Sequence, residues 1–129
     1  MNKNTLFIFL NGRRRSFSNA FMGLFYALKT QVNVKIHFCA TILVIGCGIY
    51  FRISNIEFAI ILLCISTVWI SEILNTSLEK MVDLCTPNYH PLAKIVKDLA
   101  AGAVLISAIF AASIGVILFL PYFLLLIRH

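Results

Sequence analysis

Glu72, Asn75, Glu79 and Asp83 are the residues of this sequence whose types and spacing best suit chemistry. At about 100° per residue of helix, Glu72, Glu79 and Asp83 fall within roughly 40° of one another, with Asn75 about 60° to one side. Ile73, Leu74, Leu78, Met81 and Val82 take the remaining directions. Two Glu, one Asp and one Asn therefore form a stripe on a helix otherwise fit for lipid or packed protein. A carboxylate near a bilayer core is costly and marks a functional site by default. The competing reading is a polar face at a water-exposed helix end. Glu72, however, directly abuts an uncharged run, 58–71.

A second charged group, Lys94, Lys97 and Asp98, follows a short hairpin carrying Asn88, Tyr89 and His90. Four of the five acidic residues thus lie between positions 72 and 98. Paired carboxylates with an amide, facing lysines, suit a Mg²⁺–polyphosphate site. Oxygen ligands hold a hard cation, lysines neutralise phosphate, and a carboxylate at the lipid boundary can take a proton from a hydroxyl. Phosphoryl transfer asks chiefly for such positioning and charge compensation. Lys94 and Asp98 are equally an ordinary i,i+4 ion pair. His90 suits a loop hydrogen bond as well as a ligand, His37 an interfacial or packing position, and His129 a tail.

The elements that position these groups follow from composition. The chain has 129 residues, 60% hydrophobic and 12% charged, against about a quarter charged in a soluble globule. That is the profile of a single-domain integral membrane protein, all-α. Residues 1–12 read as a leader. Residues 13–32 read as an amphipathic surface helix, with Phe17, Phe21, Leu24, Phe25 and Leu28 recurring at three and four and Ser16 as its cap. Three membrane-spanning helices follow, at 33–51, 56–84 and 92–127. Arg52 to Asn55 form the first turn, Thr86 to Pro91 the second, and Pro121 kinks or ends the last helix.

The net charge of +6 is not a nucleic-acid signature, because nine of the eleven Lys and Arg precede the first apolar run or sit between the second and third apolar runs. The positive-inside rule places the N-terminus and second loop in the cytoplasm, hence the acidic stripe at the inner face of the cell membrane. Cys39, Cys47, Cys64 and Cys85 lack metal-ligand spacing and read as buried small apolar residues. Gly46 and Gly48 offer close helix approach. Ala100, Ala101, Gly102, Ala103, Ala108, Ala111 and Ala112 give the third span a small-residue packing face.

The run from Glu72 to Asp83 (ExLNxxxExxxD), then Tyr89-His90-Pro91-Leu92-Ala93-Lys94, then Lys97-Asp98 closely resembles the small bacterial integral-membrane diacylglycerol kinase/undecaprenol kinase family. The likeness extends upstream through Ser16-Phe17, Ala20, Gly23-Leu24, Ala27 and Asn33 to His37, covering 13–123. Its short Tyr-His-Pro-Leu-Ala-Lys loop is closer to the undecaprenol branch. The resemblance implies a homotrimer with sites between subunits, ATP–Mg²⁺ as donor and a membrane lipid alcohol as acceptor. It makes Glu72 the general base and Glu79 a Mg²⁺ and nucleotide ligand. Asn75, Lys97, Asp98 and the Asn88-Tyr89-His90 loop would hold the nucleotide, with Asn19 on the surface helix a looser match. Asp83 and Lys94 would support the cytoplasmic end. Where the family has a metal-sharing glutamate this chain has Gln31, which removes one negative charge and implies a higher Mg²⁺ requirement.

Two alternatives stand beside that expectation. One is a family member with impaired catalysis. The other is a non-enzymatic membrane protein such as a proton or ion conduit. A conduit needs polar positions through the midplane, and the sequence offers only the uncharged Ser66, Thr67, Ser71, Ser107 and Ser113 there.

Overall fold

A computed structural model describes residues 3–128 as four helices: α1 (Lys3–Thr30), α2 (Val32–Tyr50), α3 (Asn55–Cys85) and α4 (Pro91–Ile127). Met1, Asn2 and His129 lie outside the described residues, and so does the reading of His129 as a tail. Three of the helices, α2, α3 and α4, are long and apolar enough to cross a membrane. At 1.5 Å per residue the 31 residues of α3 and 37 of α4 outrun a ~30 Å hydrocarbon core, whereas the 19 of α2 just match it.

The N-terminal region departs from expectation. Helix begins at Lys3, so most of the expected leader is part of α1. Asn11 and Gly12 are the weak points of that segment, and each costs a helix at most about 1 kcal/mol, too little to end one. Ser16 is not a cap: it sits inside α1, where its hydroxyl donates to the Gly12 carbonyl at 3.0 Å. Phe17, Phe21 and Phe25 are exposed on α1, whereas Ala27 is buried.

The α2–α3 turn is held by local chemistry. Arg52 takes a positive φ of 51°, the left-handed conformation that reverses the chain. Ser54 and Glu57 then form a reciprocal capping box, Ser54 Oγ accepting from Glu57 N at 3.3 Å and Glu57 Oε2 accepting from Ser54 N at 2.8 Å. Gly48 is where the chain needs glycine, because a Cβ there would meet Ile53 at 3.1 Å and Phe58 at 3.2 Å. Gly46 has open space instead. At the other end His90 caps α4, its Nδ1 accepting from Leu92 N at 3.2 Å, with Pro91 in the first turn. Helix α4 passes through Pro121 and ends at Ile127.

Helices α3 and α4 pack along one another most extensively, and α2 lies against α3. Ile61 and Val68 of α3, with Ala100, Val104 and Phe119 of α4, are buried between them. No cysteine is buried: Cys39 and Cys85 are exposed and Cys47 and Cys64 intermediate. Much of the small-residue face is likewise open, with Ala101 and Ala103 exposed and only Ala100 of its alanines buried. Four helices of one chain cannot enclose each other, so these faces meet lipid or another subunit.

The α2–α3 register comes from Trp69, whose Nε1 donates to Thr41 Oγ1 at 3.0 Å while Thr41 donates to the His37 carbonyl at 2.8 Å. The two helices run antiparallel. Followed ten residues on along α3 and ten back along α2, that register brings Glu79 to about the level of Gln31.

Candidate active site

Helix α3 carries its polar stripe from the protein interior outward. Glu72 is 2% exposed, Asn75 5% and Thr76 6%. Glu79 is half-buried and Asp83 exposed. Asn75 Nδ2 donates to Glu79 Oε1 at 3.1 Å, linking consecutive turns. Asn33 and His37 lie one turn apart near the start of α2, the helix that packs against α3.

Three buried oxygens in little more than one turn have no hydrogen-bond partner: Glu72 Oε2, Asn75 Oδ1 and Thr76 Oγ1. Leaving a buried polar atom unpaired costs about 1–3 kcal/mol each, more for a charged group. The neighbouring hydroxyls of α3 show the contrast. Thr67 returns its proton to the Leu63 carbonyl and Ser77 to the Ile73 carbonyl, both at 2.8 Å. Thr76 does not. The site is thus a small acceptor-rich recess whose unmet hydrogen bonds suit a bound polar group.

The basic residues stand at the mouth. Lys97 of α4 pairs with Asp83 of α3, tying the two helices beyond the recess. Lys94 pairs with Asp98 along α4, both well exposed, as an i,i+4 pair. Asn88 and Tyr89 are exposed on the intervening loop, and His90 is engaged as the α4 cap. Gln31 caps the backbone start of α2 without a side-chain cap bond, and its Nε2 reaches Thr30 Oγ1 at 3.5 Å. Asn19 is exposed on α1. The structure therefore gathers Glu72, Asn75 and Glu79 on one wall. Asp83, Lys97, Lys94, Asp98 and the loop ring the end of the α3–α4 pair.

The sequence does not single out Thr76 or Asn33 as candidates, and it gives His37 an interfacial or packing position. Each had a signal. Thr76 lies about 40° from Glu72 on the same helix, and Asn33 and His37 are an i,i+4 polar pair at the start of an apolar run.

Mg²⁺ can be tested against these donors. Among the described residues no group of three His, Cys, Asp or Glu side chains converges. Mg²⁺ does not require one, being bound commonly by one or two carboxylates plus phosphates and waters. The unpaired Asn75 Oδ1 and the Glu79 carboxylate are hard oxygen donors of the right kind.

Below the recess a cleft of about 540 Å³ opens between α2, α3 and α4. Its walls are almost wholly apolar. It begins at His37 and Trp69, one turn from Glu72, and ends at Phe119 and Phe123.

A membrane-spanning helical protein with a buried carboxylate one turn from an apolar cleft is the class that fold and site define. The model of the prokaryotic diacylglycerol kinase family matches residues 18–119, and the chain belongs to that family. It is 42% identical over 112 residues to an undecaprenol kinase of Bacillus subtilis, covering 87% of this chain and 91% of that protein. It is 45% identical over 107 residues to a diacylglycerol kinase of Synechocystis, covering 82% of this chain but 61% of that longer protein. A diacylglycerol kinase of Helicobacter pylori is 36% identical over 115 residues, covering 79% of this chain and 85% of that protein.

Proposed function

We propose that this chain transfers the γ-phosphoryl group of ATP to the hydroxyl of a membrane lipid alcohol, undecaprenol or diacylglycerol, at the cytoplasmic face of the inner membrane. Family membership supports the kinase activity. The observation that carries the choice of site is Glu72, a carboxylate 2% exposed with an unpaired oxygen at the head of an apolar cleft.

In this reading the lipid tail lies in the cleft and its hydroxyl meets Glu72. Glu72 Oε2 accepts the hydroxyl proton as the oxygen attacks the γ-phosphorus and the bond to the β–γ bridging oxygen breaks, releasing ADP, the role of a general base. Thr76, buried one turn on from Glu72, would donate its hydroxyl proton to the acceptor oxygen and orient it. The Asn75–Glu79 pair holds Glu79 toward the mouth, where Mg²⁺ would bind to Glu79 and Asn75 Oδ1, Gln31 contributing from the start of α2. The metal would neutralise charge on the donor phosphates. Lys97 and the exposed residues Asn19, Asn88, Tyr89 and Asp98 would receive the nucleotide, and Asp83 holds Lys97 in place. Neighbouring copies in a homotrimer would close the open faces of the helices.

The test is ATP turnover by the purified protein with Mg²⁺ and each lipid alcohol in parallel, beside a Glu72→Gln control. One of the alcohols is expected to become phosphorylated. The control is expected to lose about 10²–10⁴-fold in rate with its helix content unchanged. An equally active control removes Glu72 as base, and phosphate transfer to no alcohol removes the kinase reading.

A further inference from the structure

We propose that Phe51, Phe119 and Phe123 form the floor that sets how much hydrocarbon tail a lipid alcohol can bury, and that Gly115 keeps the path to that floor open. The inference rests on the kinase reading and concerns the end of the cleft remote from Glu72.

Along α4 the cleft is lined from Ala108 to Phe123, a rise of about 22 Å, which carries it past the middle of a ~30 Å hydrocarbon core. Its α4 wall carries the small residues Ala108, Ala111, Ala112 and Gly115 beside the larger Ile114, Val116 and Leu120, before it reaches Phe119 and Phe123. A Cβ placed on Gly115 would meet nothing within 4 Å, so the space beside it is open. The far end is different. Phe51, at the end of α2, lies 4.9 Å from Phe123 and 6.2 Å from Phe119 between ring centroids, so the two walls meet through aromatic rings. That floor is braced by a bond between helices: Tyr122 donates to Glu57 Oε2 at 2.9 Å, and Glu57 is already fixed by the Ser54 capping box.

A cleft open beside a base and closed by braced rings measures length. The tail comes from bilayer or detergent and not from water, so each methylene seated in the cleft gains only the closer packing against its fixed walls, a small increment that accumulates along the tail. Beyond the floor, further tail must leave sideways into the bilayer and gains nothing. The rate at low substrate should therefore climb with chain length and then level.

The experiment uses the full chain in detergent with single-chain alcohols of increasing length, reading kcat/KM for each. The plateau is expected at longer chains for Phe123→Ala and at shorter chains for Gly115→Leu, whose new side chain fills the path. The ratio of long- to short-chain kcat/KM should fall about tenfold in Gly115→Leu. Phosphorylation with an unshifted plateau in both variants overturns the floor while leaving the kinase reading standing. A second readout does not depend on turnover: an alcohol with a photoreactive group at its tail end, followed by mapping of the adduct. Adducts at Phe119 and Phe123 are expected. Adducts spread over outward positions such as Ile117 and Leu124 overturn the proposal, whether or not any alcohol is phosphorylated.

Discussion

Asn75 spends its amide donor on Glu79, at 3.1 Å, and so presents its carbonyl oxygen, buried and unpaired, to the recess beside Glu72. The pair fixes a carboxylate at the mouth and an acceptor inside with a single side chain. This arrangement is costly to the fold and useful only if something binds.

Asn75→Leu tests that trade. The change removes the unpaired Asn75 Oδ1 from the interior, and the half-buried Glu79 can replace its lost bond with water. The variant should therefore melt at an unchanged or higher temperature in detergent. Its kcat/KM should fall about a hundredfold, because Glu79 loses the bond that positions it. Loss of both stability and activity would make Asn75 a structural residue.

Gln31 comes level with Glu79 by the Trp69–Thr41 register. An amide oxygen there donates to a hard cation more weakly than a carboxylate. Gln31→Glu is expected to lower the Mg²⁺ concentration for half-maximal rate several-fold, with little change in ATP KM at saturating Mg²⁺. An unaltered Mg²⁺ titration would place Gln31 outside the metal's reach.

Thr76 separates a hydroxyl that binds from one that merely fills space. Thr76→Val keeps the volume and removes the hydrogen bond, and Thr76→Ser keeps the bond. If the hydroxyl contacts the acceptor oxygen as charge develops, Thr76→Val should lose about ten- to a hundredfold in kcat while Thr76→Ser retains most of it. Equal rates in the two would show that the buried oxygen finds no partner in the reaction.

The helices and the acidic wall were legible in the sequence because both are periodic. An uncharged run, 58–71, that covers most of a span and is followed by Glu72, Asn75 and Glu79 at helical spacing leaves little freedom of placement. What was not legible depended on contacts across helices or on the absence of a breaker. Nothing in residues 3–12 stops a helix, yet their apolar run, Leu6–Leu10, is too short to mark one by itself. Cysteine burial failed because apolar sequence marks an apolar surrounding, and lipid serves as well as protein. The cleft could not be read at all. It exists because Phe51 touches α4 at one end, while the Trp69–Thr41 bond fixes α2 on α3 at the other.

Lys97 is the residue whose proposed role is most sharply divided, since it ties α4 to Asp83 on α3 and is also the lysine assigned to the nucleotide. Both partners are partly exposed, 39% and 53%, so water screens the pair and its contribution to stability is small. Lys97→Met and Asp83→Asn each break the same bridge, and should lower the melting temperature by similar small amounts. Their kinetics should differ. A lysine that receives phosphate loses that contact only in Lys97→Met, which is expected to raise the KM for ATP about tenfold or more. Asp83→Asn frees the lysine without removing it and should raise the KM much less, with the difference shrinking at high ionic strength. If the two variants instead raise the KM alike, the bridge itself matters and Lys97 acts by holding the helices together.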